Sequence, residues 1–238
     1  MGSIMINNEM FGCDVVANPT LLPGETETPL TGMQINGAKY SVEGGGGGGT
    51  QSTPFLKSSG TQYIDTGIKP SEKISILTEF FLDIDQQNRS ESWQSVFGGN
   101  DGNTINSIVF SFNQSSSAVT FQDGSAYGDI GSLFIPSNYI HNVAIIKGIT
   151  EFDGIARQIW NVSPFSSNNN IYLFGQNLNG VASYLSKICL TKCKIYRDDN
   201  LIANFVPVEN NGVACLQDKL SQNYFTNQGI GSFIYGEL

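Results

Sequence analysis

Residues 41–52 read SVEGGGGGGTQS, with six consecutive glycines at 44–49. Glycine loses more conformational entropy on ordering than any other residue, so six together cannot form the interior of a helix or strand. A phosphate-cradling loop would need a Lys followed by Ser or Thr after the last glycine and then a helix start, but Thr50, Gln51 and Ser52 follow, and then Pro54. The nearest approach to that spacing, Gly32 to Gly37, is followed by Ala38 and Lys39 and misses it. A collagen-like reading fails because the run has no period and no proline. What remains is a flexible tether, 43–53, between two parts with different tasks.

The parts on either side differ in kind. Residues 1–42 hold short apolar clusters broken by Pro19, Pro23 and Pro29, too few to build a core alone. Within them ETPLTGMQINGAKYSV reads as a β-hairpin turning at Asn36-Gly37. From Pro54 onward, short apolar runs alternate with turn clusters such as NDGN, QDGS, RDDN and ENNG, and helical periodicity is almost absent.

The clearest strand is KISILTEFFLDI, 73–84, where Ile74, Ile76, Phe80, Leu82 and Ile84 share one face and Lys73, Ser75, Glu79 and Asp83 the other. In INSIVFSF, Ile108, Phe110 and Phe112 alternate with Ser107, Val109 and Ser111. LSKICLTKCKIYRDDNLIANFVPV reads as a long hairpin turning at Asp198, Asp199 and Asn200. Further strands are expected in AVTFQ, NYIHNVAIIKG, ARQIWNV, NIYLFGQ, GVACLQD and GSFIYGE. Roughly nine to twelve short strands of this kind predict an all-β fold, an antiparallel jelly-roll β-sandwich over 54–238.

Charge narrows the partners. A net charge of −9 with 12 basic residues works against nucleic acid and anionic membranes, which require Lys and Arg. No run of 18 apolar residues exists, and MGSIMINNEM has neither a basic nor an apolar signal region, so neither membrane insertion nor export by a signal peptide is expected. Cys13, Cys189, Cys193 and Cys215 fit neither a CxxC zinc site nor a disulfide framework. On a straight strand Cys189 and Cys193 would share a face about 13 Å apart, too far to bridge, so buried thiols are expected.

Two resemblances add to this reading. SSGTQYIDTGIKP (58–70), LTEFFL, VFGG, NIYLFGQNLNG (170–180), KIYRDDNLIANFVPV and GVACLQDKLSQNYFTNQGIGSF resemble the laminin-G-like, concanavalin A-like sandwich. More narrowly, they look like its form in tail, fibre and surface proteins of phages and prophages of gut bacteria. VVANPTLLPGETETPLTGMQINGAKYSV resembles the N-terminal segment of phage head-fibre and related virion appendage proteins. The resemblance implies a virion protein, a head fibre, capsid decoration or tail-associated appendage, whose sandwich adheres to host-surface or mucosal glycans. Capsid or tail proteins would bind residues 1–42 through Leu30, Met33, Ile35, Tyr40 and Val42, and a homo-oligomer, a trimer foremost, would be the assembled state. A bacterial or prophage surface carbohydrate-binding module is the alternative.

A sugar site needs an aromatic face for C–H stacking and amides or carboxylates for hydroxyls. Three sets meet that need: Trp93 with Asn100, Asp101 and Asn103; Asp123, Tyr127 and Asp129; and Gln176, Asn177 and Asn179. Each also suits ordinary turn chemistry. Trp160 suits packing within a strand. No cofactor is expected. Calcium, a frequent companion of laminin-G sandwiches, would need scattered loop oxygens, since NDGN lacks the length and terminal Glu of an EF-hand loop. Catalysis is not expected: the ExDxxE strand of sandwich glycosidases is missing, Glu91 and Glu151 stand singly, and the only histidine, His141, reads as a hydrogen-bonded strand residue.

Overall fold

A computed structural model describes residues 2–6, 9–13, 33–35, 38–40, 52–82, 93–102, 106–113, 118–132, 135, 137, 140–159 and 161–238. The chain divides into two units, Met1–Gly49 and Thr50–Leu238. Leu30, Val42, Asn36-Gly37 and the glycine run lie outside the described residues. In the first unit, β1 (Gly2–Ile6) pairs with β2 (Glu9–Cys13), and β3 (Met33–Ile35) with β4 (Ala38–Tyr40). Both pairs are antiparallel, with Met33 opposite Tyr40 and Ile35 opposite Ala38.

The second unit is an all-β sandwich of two sheets whose pairings, among the described residues, are antiparallel with one exception. The first sheet runs in the order β11 (Ala126–Ser132), β10 (Ala118–Asp123), β9 (Ser107–Asn113), β8 (Trp93–Asn100), β15 (Tyr172–Leu173), β6 (Ile64–Asp65). Alongside it, β16 (Gln176–Leu178) pairs parallel with the end of β8 and antiparallel with β17 (Val181–Ser183). The second sheet runs β14 (Ile155–Ile159), β13 (Ile149–Phe152), β12 (His141–Ile146), β7 (Ile74–Leu82), β18 (Ile188–Arg197), β19 (Asn200–Asn210), β20 (Val213–Asp218), β21 (Tyr224–Phe225). There β5 (Pro54–Lys57) pairs with both β18 and β22 (Ile234–Glu237).

Turn chemistry accounts for this meander. Lys147-Gly148, Asp153-Gly154, Asn179-Gly180, Asp198-Asp199 and Asn211-Gly212 each place two residues at positive φ between paired strands. That is the type I′ turn, whose twist matches the strands it joins. Between β10 and β11, Gly124 alone of its pair has positive φ, as a type II′ turn requires.

The core lies between the sheets. Phe80 of β7 meets Phe110 and Phe112 of β9 across the gap, with ring centroids 6.0 and 6.4 Å apart, and Phe110 also meets Phe152 of β13 at 6.1 Å. Ile74, Ile76, Phe80 and Leu82 are all buried, as the alternation of β7 predicts; Ile84 lies outside the described residues. His141 is wholly buried opposite Phe80, its Nδ1 2.9 Å from Asp153 Oδ2 and its ring stacked on Phe152.

One register differs from the sequence reading. A bulge between Leu190 and Lys192 sets Cys189 opposite Phe81 and Cys193 opposite Thr78. Because β7 alternates, the two cysteines face opposite sides of the sheet rather than the same one. Cys189, Cys193 and Cys215 are buried thiols, and burial pushes the Cys193 thiol up to about 12 against the hydrogen bond donated by the Thr78 hydroxyl.

The two ends of the second unit clamp together. Gln228 N donates to Tyr63 O, Ile230 N to Thr61 O, and Gln62 Nε2 to Ile230 O. A Cβ at Gly229 would run into the Thr61 carbonyl, so only glycine permits this approach. Asp218 closes the following loop. Burial works to raise its pKa, but N–H groups of Asn204, Leu220 and Ser221 and the Ser221 hydroxyl all donate to it and hold it below the usual carboxylate range.

Asp123 is the opposite case. It is 1% exposed, its Oδ2 accepts from Gly148 N of the second sheet at 2.9 Å, and its Oδ1 has no partner. Burial, with a smaller push from Glu72, raises its pKa to about 7 against the Gly148 hydrogen bond. Between about pH 4 and 7 the folded chain holds a proton that the unfolded chain has released, so this carboxyl costs stability increasingly as pH rises. Asp123→Asn keeps the acceptor without the charge. It is expected to raise the thermal midpoint by a few degrees at pH 8, at about 2–4 °C per kcal/mol in a domain of this size, and to leave it nearly unchanged at pH 4. Calorimetry at the two pH values checks this; equal shifts at both would refute the charge-burial account.

Candidate functional site

Alternation in β9 and β10 sends Phe110, Phe112, Val119 and Phe121 into the core, and so turns Val109, Ser111, Thr120 and Gln122 outward. The register carries that outer face across four strands. Tyr127 stands opposite Gln122, Gln122 opposite Val109, and Val109 opposite Gly98; Thr120 stands opposite Ser111, and Ser111 opposite Ser95. Trp93 begins β8, opposite Asn113. Over this floor lies a groove of about 200 Å³ lined by Trp93, Val109, Ser111, Thr120, Gln122, Tyr127, Gln176 and Tyr184.

Three local features shape it. Gly98 lacks the Cβ that would lie 3.0 Å from Gln176 Cγ, so Gln176 can rest on the sheet. A bulge between Ser95 and Phe97 interrupts the β8–β9 ladder, and Ser95 N donates instead to Tyr184 O at 2.8 Å. Tyr184 has φ +50°, a left-handed conformation that costs a bulky residue of order 1 kcal/mol or more, and its side chain is 45% exposed. The strand pairing thus holds a strained backbone that presents an aromatic ring at the groove. Beneath, Ser95 Oγ and Ser111 Oγ share a 2.6 Å hydrogen bond. At the far wall Tyr127 is 62% exposed.

The three sets expected from sequence are divided by the fold, and one member of each meets in this groove: Trp93, Tyr127 and Gln176. Asn100 is at the other end of β8, buried, its Oδ1 accepting from Gly102 N and its carbonyl from Asn179 N and Asn169 Nδ2. Asp101 accepts from Asn106 Nδ2, and the buried Asn177 accepts from Gly180 N within the Asn179-Gly180 turn. These four residues do turn chemistry. Asp123 faces the core, and Asp129 stands opposite Thr120 in register. Asn103, Glu91 and Trp160 lie outside the described residues.

Ser111, Thr120, Gln122 and Tyr184 were not among the expected site residues. The alternation of VTFQ marks the outward Thr120 and Gln122, and that of INSIVFSF marks Ser111; nothing local marks Tyr184. Glu151 lies in the second sheet opposite Ala144, and burial raises its pKa. Among the described residues, no group of three or more His, Cys, Asp or Glu comes together in a way that could hold a metal ion.

No protein-family model matches the chain, and no curated protein matches it. Among solved structures, it is similar to the CBM40 module of the Ruminococcus gnavus IT-sialidase bound to α2,3-sialyllactose, at 13% identity and TM-score 0.47, over 60% of this chain and 89% of that one. A second structure of that CBM40 module aligns at 12% identity and TM-score 0.42, over 63% of this chain and 93% of that one. The NanB sialidase of Streptococcus pneumoniae aligns at 11% identity and TM-score 0.43, over 77% of this chain and 39% of its own. The sandwich itself is established by the strand registers above.

Proposed function

We propose that the second unit is a carbohydrate-binding module that uses the outer face of its first sheet. The observation that carries this reading is the convergence in one groove of the rings of Trp93, Tyr127 and Tyr184 with the carboxamides of Gln122 and Gln176 and the hydroxyls of Ser111 and Thr120. A sugar presents C–H groups on its ring faces and hydroxyls around its rim, and a site for it needs aromatic faces beside uncharged donors and acceptors. Large aromatic rings held partly in water on a rigid sheet offer contact area at little further entropic cost. The role is adhesion, without chemistry on the sugar.

A glycan array probed with the full chain tests this directly. Binding is expected, with Trp93→Ala and Tyr184→Ala each weakening it at least tenfold while thermal midpoints stay within a few degrees. Binding that survives both substitutions would remove the groove from the account.

From the resemblance of residues 15–42, we further propose that residues 1–42 fix this module to a phage particle. Mass spectrometry of purified particles is expected to find the full chain and to miss a chain lacking residues 1–42; retention of the truncated chain would overturn the anchor.

A further inference from the structure

The residues that carry the groove's aromatic rings rise from separate points of the sheet. Tyr127 is on β11 and Trp93 on β8, three strand spacings apart, and the register places Trp93 four residues further along the sheet, opposite Asn113 where Tyr127's row meets Val109. Strand spacing and rise put these two Cα atoms about 14 Å apart across the strands and about 13 Å along them, so about 20 Å on the diagonal. Tyr184 joins the Trp93 end, because its carbonyl accepts from Ser95 N two residues along β8. Gln122 and Thr120 of β10 and Ser111 of β9 lie between the two ends.

We infer that the groove takes a run of consecutive sugar rings within a glycan chain, lying diagonally across β8–β11, rather than a single terminal sugar. The inference rests on the carbohydrate reading and specifies its ligand. A single ring stacked at Trp93 and Tyr184 occupies one end of this diagonal, whereas a chain of several rings meets aromatic surface at both ends. Its intervening hydroxyls then pass over the Thr120 hydroxyl and the Gln122 carboxamide. The groove floor is a rigid sheet, so the two stacking positions are held at fixed separation. Affinity then rises with chain length until both are filled, by the logic of two linked contacts.

The test is calorimetric titration of the full chain with ladders of glucose, mannose and N-acetylglucosamine oligomers of one to six rings. Affinity is expected to rise at least tenfold from one to four rings and then level off. Tyr127→Ala should flatten that rise, its loss growing with chain length, and Trp93→Ala should weaken every length. Equal affinity for one ring and four, or equal loss at all lengths in Tyr127→Ala, would overturn the chain-binding inference while leaving the carbohydrate reading standing. No binding by any ladder would overturn the chain-binding inference and leave the carbohydrate reading to the array, and binding indifferent to both substitutions would overturn both.

Discussion

The contact of Phe80 with Phe110 and Phe112 is the constraint from which the rest of the second unit follows. Joining β7 of one sheet to β9 of the other requires that β9 point alternate residues inward. Strand geometry then leaves no choice about Val109 and Ser111, which must face out. Pairing copies the choice onto β10, and β10 copies it onto β11, so Thr120, Gln122 and Tyr127 follow. The proposed binding face is in this sense the reverse side of the phenylalanine core. A one-residue slip of β9 would exchange the two and destroy both.

The same argument separates what the sequence disclosed from what it hid. Ile74, Ile76, Phe80 and Leu82, or Ile108, Phe110 and Phe112, can be placed because period-two alternation and burial are local facts. The hairpin turning at Asp198 and Asp199 can be placed because those residues tolerate positive φ. Bulges break the arithmetic. The one before Lys192 puts Cys189 and Cys193 on opposite faces, and nothing in ICLTKCKIYR announces it. The one after Ser95 leaves that residue's N–H to Tyr184, 89 positions later in the chain, and it is this long-range bond that sets the ring at the groove.

The candidate site shows the limit in a second way. Reading along the chain groups Trp93 with Asn100 and Asp101, but an extended strand carries near neighbours in sequence quickly apart, and Tyr127 and Gln176 come from elsewhere to line the same groove. Asn100, Asp101, Asn177 and Asn179 then serve turns at the other end of β8 and β16. Composition alone could not separate the Asn and Gln residues that meet a ligand from those that satisfy backbone.

The account's central claim concerns where a glycan sits, and chemical-shift mapping of the isotope-labelled chain measures this directly. On titration with an oligosaccharide selected by the array, the Trp93 indole N–H, the side-chain amides of Gln122 and Gln176, and the backbone of Ser111 and Thr120 are expected to shift together. The Asn100, Asp101 and Asn177–Gly180 signals should stay still. Shifts confined to Asn100, Asp101 and the Asn179-Gly180 turn, with the Trp93 indole unmoved, would contradict the account.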